Sequence, residues 1–144
     1  AEKGVGLMWQ HFGSRAQDLR AAIGPGIHAC CYEVGREVRE RFESQFAYAG
    51  ELFRESEDSD PVREKYPMLF MNARAPGHGE LAPRIYLDLV KANLRQLGAA
   101  GLHAKDIHAS PLCTACHTEL LFSHRAEEGK TGRMLAVVGI RGKG

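Results

Sequence analysis

An apolar stripe of helical period constrains this chain more than any other feature: Ile85, Leu89, Ala92 and Leu97, joined by Tyr86, Val90 and Leu94, share one side of a helix predicted over 83–97. Gly98 supplies its C-terminal stop. Two further helices are predicted. Val34, Val38 and Phe42 recur at four-residue spacing with Arg36, Glu37, Arg39, Glu40 and Glu43 between them, an amphipathic helix whose polar face reads as solvated. Residues 1–12 place Val5, Met8, Trp9 and Phe12 on one side of the tail of another helix, with no capping residue before it.

Short apolar runs account for the rest. Residues 19–23 read as a buried strand ended by Gly24-Pro25-Gly26, which continues neither a ladder nor a helix. Residues 107–112, 120–123 and 134–140 read as three more, with Glu127-Glu128-Gly129-Lys130 as the turn between the last two. Residues 66–71 read as a strand between the polar stretches 55–65 and 72–79, both expected as surface loops. At 144 residues the length is that of one domain with one core, enough to bury about 70% of the unfolded surface.

A formal net charge of +1, with 44% hydrophobic and 26% charged residues, points to no nucleic-acid polymer and no membrane as partner. No apolar run approaches the roughly 20 residues that span a bilayer, and no secretory signal opens the chain. The expectation is a soluble, cytoplasmic protein.

Four cysteines invite chemistry. Cys113-x-x-Cys116-His117 spells the c-type haem attachment signature, in which two thiols bond the vinyl groups and the His ligates iron. A haem crevice needs surrounding helices, whereas Cys113 follows one predicted strand and precedes another, so haem is a remote alternative. Zinc is held by thiolates and imidazoles, and Cys113, Cys116 and His117 are near enough in sequence to contribute. The adjacent Cys30 and Cys31 read as poorly placed to give one ion two ligands, and no second Cys-x-x-Cys exists. Cys30, Cys31 and Cys116 therefore read as small buried side chains in a reducing compartment. Cys113 with His117 or His124 could form a nucleophile and base pair, but seven histidines single out none.

Three ordered blocks are similar to the laccase-domain (YfiH-type) family: Ala22-Ile-Gly-Pro-Gly-Ile27 with Cys31-Tyr-Glu-Val-Gly35; Leu87-Asp-Leu89 with Ala92-Asn93; and Cys113-Thr114 through Phe122-Ser123, Arg125 and Thr131-Gly-Arg-Met134. The resemblance implies an α+β domain, a mixed sheet with helices packed on it. It also implies a metal-dependent purine nucleoside phosphorylase acting on adenosine, inosine or methylthioadenosine, with adenosine deaminase activity and an older name as a polyphenol oxidoreductase. Purine nucleoside and phosphate are then the ligands, with zinc, or copper, as the metal.

The family's metal ligands lie in Gln-Val-His-Gly, Ala-Asp-Cys and His-Ala-Gly-Trp-Arg-Gly segments, and none of these occurs here. Residues 1–144 thus resemble the C-terminal half of one such domain. The chain alone is expected to hold no metal and to be inactive, with its missing N-terminal half or a second copy as the completing partner. It could alternatively serve as an interaction or folding module completed by another chain. The family's Phe-Phe-Ser-Tyr-Arg-Arg stretch corresponds to Leu121-Phe-Ser-His-Arg-Ala126, which keeps one Arg. Arg125, Ser123 and His124 are accordingly the pocket candidates; Cys113, His117 and Arg133 follow, with Arg133 and Asp88 read mainly as structural.

Overall fold

The computed structural model describes residues 1–56 and 83–139. In chain order the elements are α1 (Glu2–Phe12), β1 (Ala21–Ile23), β2 (Glu33–Val34), α2 (Arg36–Glu43), β3 (Phe53–Ser56), β4 (Arg84–Leu87), α3 (Leu89–Ala99) and β5 (Ile107–Ala109), with short 3-10 turns at Ala16–Asp18, Ala49–Leu52 and Ala104–Asp106. They form two compact units where the length implies a single core: unit 1 joins Ala1–Tyr32 to Asp88–Gly144, and unit 2 is Glu33–Leu87.

In unit 1, β1 and β5 pair in parallel, Ala21 opposite Ile107 and Ile23 opposite Ala109. The pairing continues beyond both strands. The Ser110 N–H donates to the Ile23 carbonyl at 2.8 Å, Gly26 bridges Cys113, and the Thr114 N–H donates to the Gly26 carbonyl at 3.0 Å. Ala92, Leu97, Leu102 and Cys113 are its buried apolar residues among those described. The helix α1 contacts α3, and the Ala1 amino group donates to Gln96 Oε1 at 3.0 Å. No residue of α1 is buried, and Trp9 and Phe12 remain 60% and 75% exposed.

The apolar stripe divides into two elements. Residues Arg84–Leu87 are strand, alternating exposed Arg84, buried Ile85, half-buried Tyr86 and buried Leu87, the period of two that a pleated segment imposes. The helix begins only after Asp88, whose carboxylate accepts from the Lys91 N–H at 2.8 Å. At the other end Gly98 lies inside the helix. The stop is Gly101 at φ 97°, where the Gly101 N–H donates to the Gly98 carbonyl and the Leu102 N–H to the Leu97 carbonyl. Buried Leu97 and Leu102 supply the apolar contact such caps favour. Asp88→Ala, which removes the N-terminal cap, is expected to lower stability by about 1 kcal/mol in urea denaturation; an unchanged midpoint would deny the carboxylate that role.

Unit 2 holds an antiparallel sheet in the order β2-β4-β3, with Val34 and Glu55 both opposite Ile85. Glu55 and Ser56, expected in a loop, therefore end a strand. Its buried residues among those described are Ala49, Leu52, Ile85 and Leu87. Phe42 of α2 meets Phe53 edge-on at 5.8 Å and Phe46 at 5.7 Å. The polar face of α2 is not wholly solvated, because Arg39 pairs with Glu43 at 2.8 Å and also with Glu55.

Parallel and antiparallel pairing with helices gives the mixed α+β content that the resemblance implies. Three expected strands fare differently. Residues 120–123 form no strand; Leu120 ends a turn, and the Leu120 and Leu121 N–H groups both donate to the His117 carbonyl. Residues 134–139 pair with nothing among the described residues, and Leu135, Val137 and Val138 are 88%, 84% and 94% exposed. The 66–71 strand lies outside the described residues. The expected turn at 127–130 is present, with Glu128 and Gly129 at φ 50° and 82°. No described helix is long and apolar enough to cross a membrane.

Candidate functional site

Both strands of the parallel pair in unit 1 run out at the same end into loops that carry cysteines, the position where open α/β sheets present ligand sites. After β1, Gly24-Pro25-Gly26 leads to a tight turn in which the Cys31 and Tyr32 N–H groups both donate to the His28 carbonyl at 2.9 Å. After β5, a second turn has the Cys116 and His117 N–H groups donating to the Cys113 carbonyl at 3.2 and 3.1 Å. The Gly26–Cys113 bridge clamps the two loops together.

The result is a cluster of four thiols. One sulfur each from Cys30, Cys31, Cys113 and Cys116 lies within 4.8 Å of the other three. Cys116 Sγ is 3.4 Å from Cys31 Sγ and 3.6 Å from Cys30 Sγ. Cys113 is buried, whereas Cys30 and Cys116 are exposed as residues, so the cysteines are not the scattered core side chains that sequence reasoning expects. Adjacency of Cys30 and Cys31 is no obstacle in a turn. Successive side chains in helical-type backbone diverge by about 100°, against about 180° in an extended strand, so neighbours can address one point.

The thiols differ in acidity. Burial opposes ionisation of Cys113, but hydrogen bonds from the backbone of His28, Cys116 and Ala115 and from the Cys30 thiol together outweigh it and lower the thiol to about 6. The hydrogen bond with Cys116, aided by burial, pushes Cys31 well above the usual range, and burial also raises Cys30. The His28 N–H donates to Cys113 Sγ at 3.4 Å, while its ring Nε2 is buried without a partner among the described residues. An open cleft of roughly 520 Å³ beside the cluster is lined by His28, Cys30, Asp88, Lys91 and Leu94.

The remaining candidates separate into several places. His124 and Arg133 line a second cleft of about 430 Å³ together with Phe122, Gly129 and Thr131. Arg125 is exposed and lies with its guanidinium carbon 5.5 Å from the centre of the Tyr32 ring. Ser123 is buried, and its side chain serves the turn, Oγ accepting from the Ala126 N–H at 3.4 Å. Glu127 braces the same turn through Thr131 and the Ser123 N–H, contacts that hold its carboxyl below the ordinary range. His117 contacts Glu119 at 3.3 Å. These placements speak against haem attachment, since both signature sulfurs face other thiols and Cys113 is 5% exposed. Sequence reasoning missed the convergence of Cys30, Cys31 and Cys116 on Cys113, which follows from the parallel pairing of β1 with β5 and from no local pattern.

Residues 1–141 match the family described as multi-copper polyphenol oxidoreductase laccase. The chain belongs to that family. Among relatives, it is 38% identical over 124 residues to purine nucleoside phosphorylase YlmD of Geobacillus stearothermophilus, covering 86% of this chain and 37% of the relative. It is 30% identical over 129 residues to purine nucleoside phosphorylase YlmD of Bacillus subtilis, covering 90% and 38%. The crystal structure of Bacillus licheniformis hypothetical protein YfiH superposes with a TM-score of 0.66 at 30% identity over 91% of this chain and 40% of that one. YlmD from Geobacillus stearothermophilus gives 0.62 with the same coverage. The chain thus spans under two fifths of the length of these two relatives. The laccase-family resemblance and its mixed α+β fold are both supported. The Gln-Val-His-Gly, Ala-Asp-Cys and His-Ala-Gly-Trp-Arg-Gly segments that the resemblance implies as metal ligands do not occur in these 144 residues.

Proposed function

We propose that this laccase-family chain is the C-terminal portion of a cytoplasmic, metal-dependent purine nucleoside phosphorylase that accepts adenosine, inosine and methylthioadenosine and also deaminates adenosine. The observation that carries the reading is the 38% identity to a protein named purine nucleoside phosphorylase YlmD. In phosphorolysis a phosphate oxygen attacks C1′ of the ribose, and the C1′–N9 bond breaks with its electron pair leaving on the purine, which takes up a proton. Ribose-1-phosphate and free base result. Zinc, or copper, is supplied by segments outside these residues.

Within the chain, Arg125 is the phosphate-binding candidate. Its guanidinium, held over Tyr32, carries paired N–H donors that match phosphate oxygens. His124 and Arg133, on the wall of the second cleft, are candidates for the nucleoside side. The isolated chain is inactive in this reading.

A chimera tests the proposal: this chain fused behind the N-terminal portion of Geobacillus stearothermophilus YlmD is expected to convert inosine and phosphate to hypoxanthine and ribose-1-phosphate. The 144-residue chain by itself should not. Arg125→Ala in the chimera should raise the KM for phosphate roughly ten- to hundredfold, as loss of a charge-assisted hydrogen bond implies. Turnover by the isolated chain, or a folded and zinc-loaded chimera without turnover, would overturn the reading.

The apolar surface of unit 1 favours a second role as an interaction module. Trp9 and Phe12 on α1, and Leu135, Val137 and Val138 near the C-terminus, leave large side chains in water. A second chain or a second copy would cover them. Size-exclusion chromatography should then show self-association or capture of the YlmD N-terminal portion; a stable monomer indifferent to that portion would count against the role.

A further inference from the structure

We propose that Cys30, Cys31, Cys113 and Cys116 form a tetrathiolate site that holds one zinc ion and ties the two sequence segments of unit 1 together. The site lies wholly within this chain and needs neither nucleoside nor the family's catalytic metal.

Geometry is the first argument. A tetrahedral zinc with bonds of about 2.3 Å to sulfur sets its ligand sulfurs about 3.8 Å apart. The cluster shows separations of 3.4 and 3.6 Å, with all four sulfurs inside 4.8 Å of one another. That is a cage for a single ion rather than for a polynuclear cluster. The sulfurs are also well beyond disulfide bonding distance, about 2.05 Å, and all four cysteines are free.

Chemistry is the second. Four soft donors with no carboxylate among them select a thiophilic ion over magnesium or calcium. Four convergent thiolates satisfy a closed tetrahedral shell, as in structural zinc sites. Binding displaces the thiol protons to solvent, leaving zinc with four sulfur bonds and a net charge of −2 on the centre. Positive groups stand near that charge: Lys91 lines the cleft that Cys30 lines, and Arg125 sits over Tyr32, the residue after Cys31.

The backbone is the third. Each pair of ligands sits on a tight turn closed by N–H donation to the carbonyl of His28 or Cys113, and the His28 N–H already points at Cys113 Sγ. Such N–H to sulfur bonds stabilise metal-bound thiolate and orient the ligand. Cys116 is 85 and 86 positions from its neighbours Cys31 and Cys30, so an ion here cross-links the loop after β1 to the loop after β5.

The test uses the 144-residue chain expressed with added zinc and purified under reducing conditions. Elemental analysis and native mass spectrometry should find about one zinc per chain, and the double variant Cys30→Ser/Cys116→Ser less than about a tenth of that. If the variant fails to fold, the wild type still decides: all four thiols should resist alkylation while zinc is present and react once a strong chelator removes it, with a fall in Tm. Metal-free wild type, alkylation equal with and without zinc, or a chain lighter by two hydrogens from a disulfide with Cys116 would each overturn the proposal. No readout involves nucleoside turnover, so failure here leaves the phosphorylase reading standing, and the reverse.

Discussion

Replacing Leu87 with alanine is expected to destabilise unit 2 by about 3 kcal/mol, within the range that large-to-small core substitutions show. Leu87 is 1% exposed at the end of the central strand β4 and lies opposite Phe53. Its buried companions among the described residues of unit 2 are Ala49, Leu52 and Ile85. At a side chain this deeply buried, both the lost transfer free energy and the residual cavity count. Hydrogen exchange of amides in 84–87 should accelerate accordingly. Leu94→Ala provides the contrast, since Leu94 on α3 is 37% exposed and its truncation should cost well under half as much. Equal effects at the two positions would mean that β4 is not the centre of a core.

Two glycines three residues apart should respond to the same substitution with opposite signs. Gly101 adopts φ 97°, a backbone conformation that L side chains rarely take, and a Cβ added there would stand 3.2 Å from Ala16 Cβ. Gly101→Ala should therefore cost about 2 kcal/mol and weaken the cap that ends α3. Gly98 lies within the helix with nothing within 4 Å of an added Cβ. Gly98→Ala should stabilise by roughly 0.5–1 kcal/mol, through higher helix propensity and a less flexible unfolded chain. Urea denaturation of the two variants measures the difference. A gain at both positions would place the helix stop elsewhere.

The stripe from Ile85 to Leu97 was legible as apolar and amphipathic, yet it concealed a boundary. Ile85 and Leu87 satisfy a period of two while Leu89, Ala92 and Leu97 follow a helical one, and Asp88 stands between them as the capping residue that separates the periods. Local capping chemistry was present in the sequence; its tertiary use was not. The runs at 120–123 and 134–139 show the converse failure, because apolar content alone specifies a strand only when another strand is there to pair with it. Family membership was readable from the Gly-Pro-Gly, Glu-Val-Gly and Thr-Gly-Arg-Met blocks. The thiol cluster could not be read in the same way. It depends on a parallel pairing between Ala21–Ile23 and Ile107–Ala109 that brings Cys30 to Cys116, and no local pattern around either cysteine encodes the other.

Unit 1 is discontinuous, its halves lying on either side of Glu33–Leu87. That arrangement bears on the order of events as the chain leaves the ribosome. The contacts of unit 2 all fall within one uninterrupted stretch, so they are available before α3 and β5 have been made. β1 must wait for β5, which is made only after the whole of unit 2, and closing so long a loop is a slow step for a parallel pair. Until that pair closes, Cys30 and Cys31 lack the neighbouring Cys113 and Cys116, and their thiols stay open to oxidation.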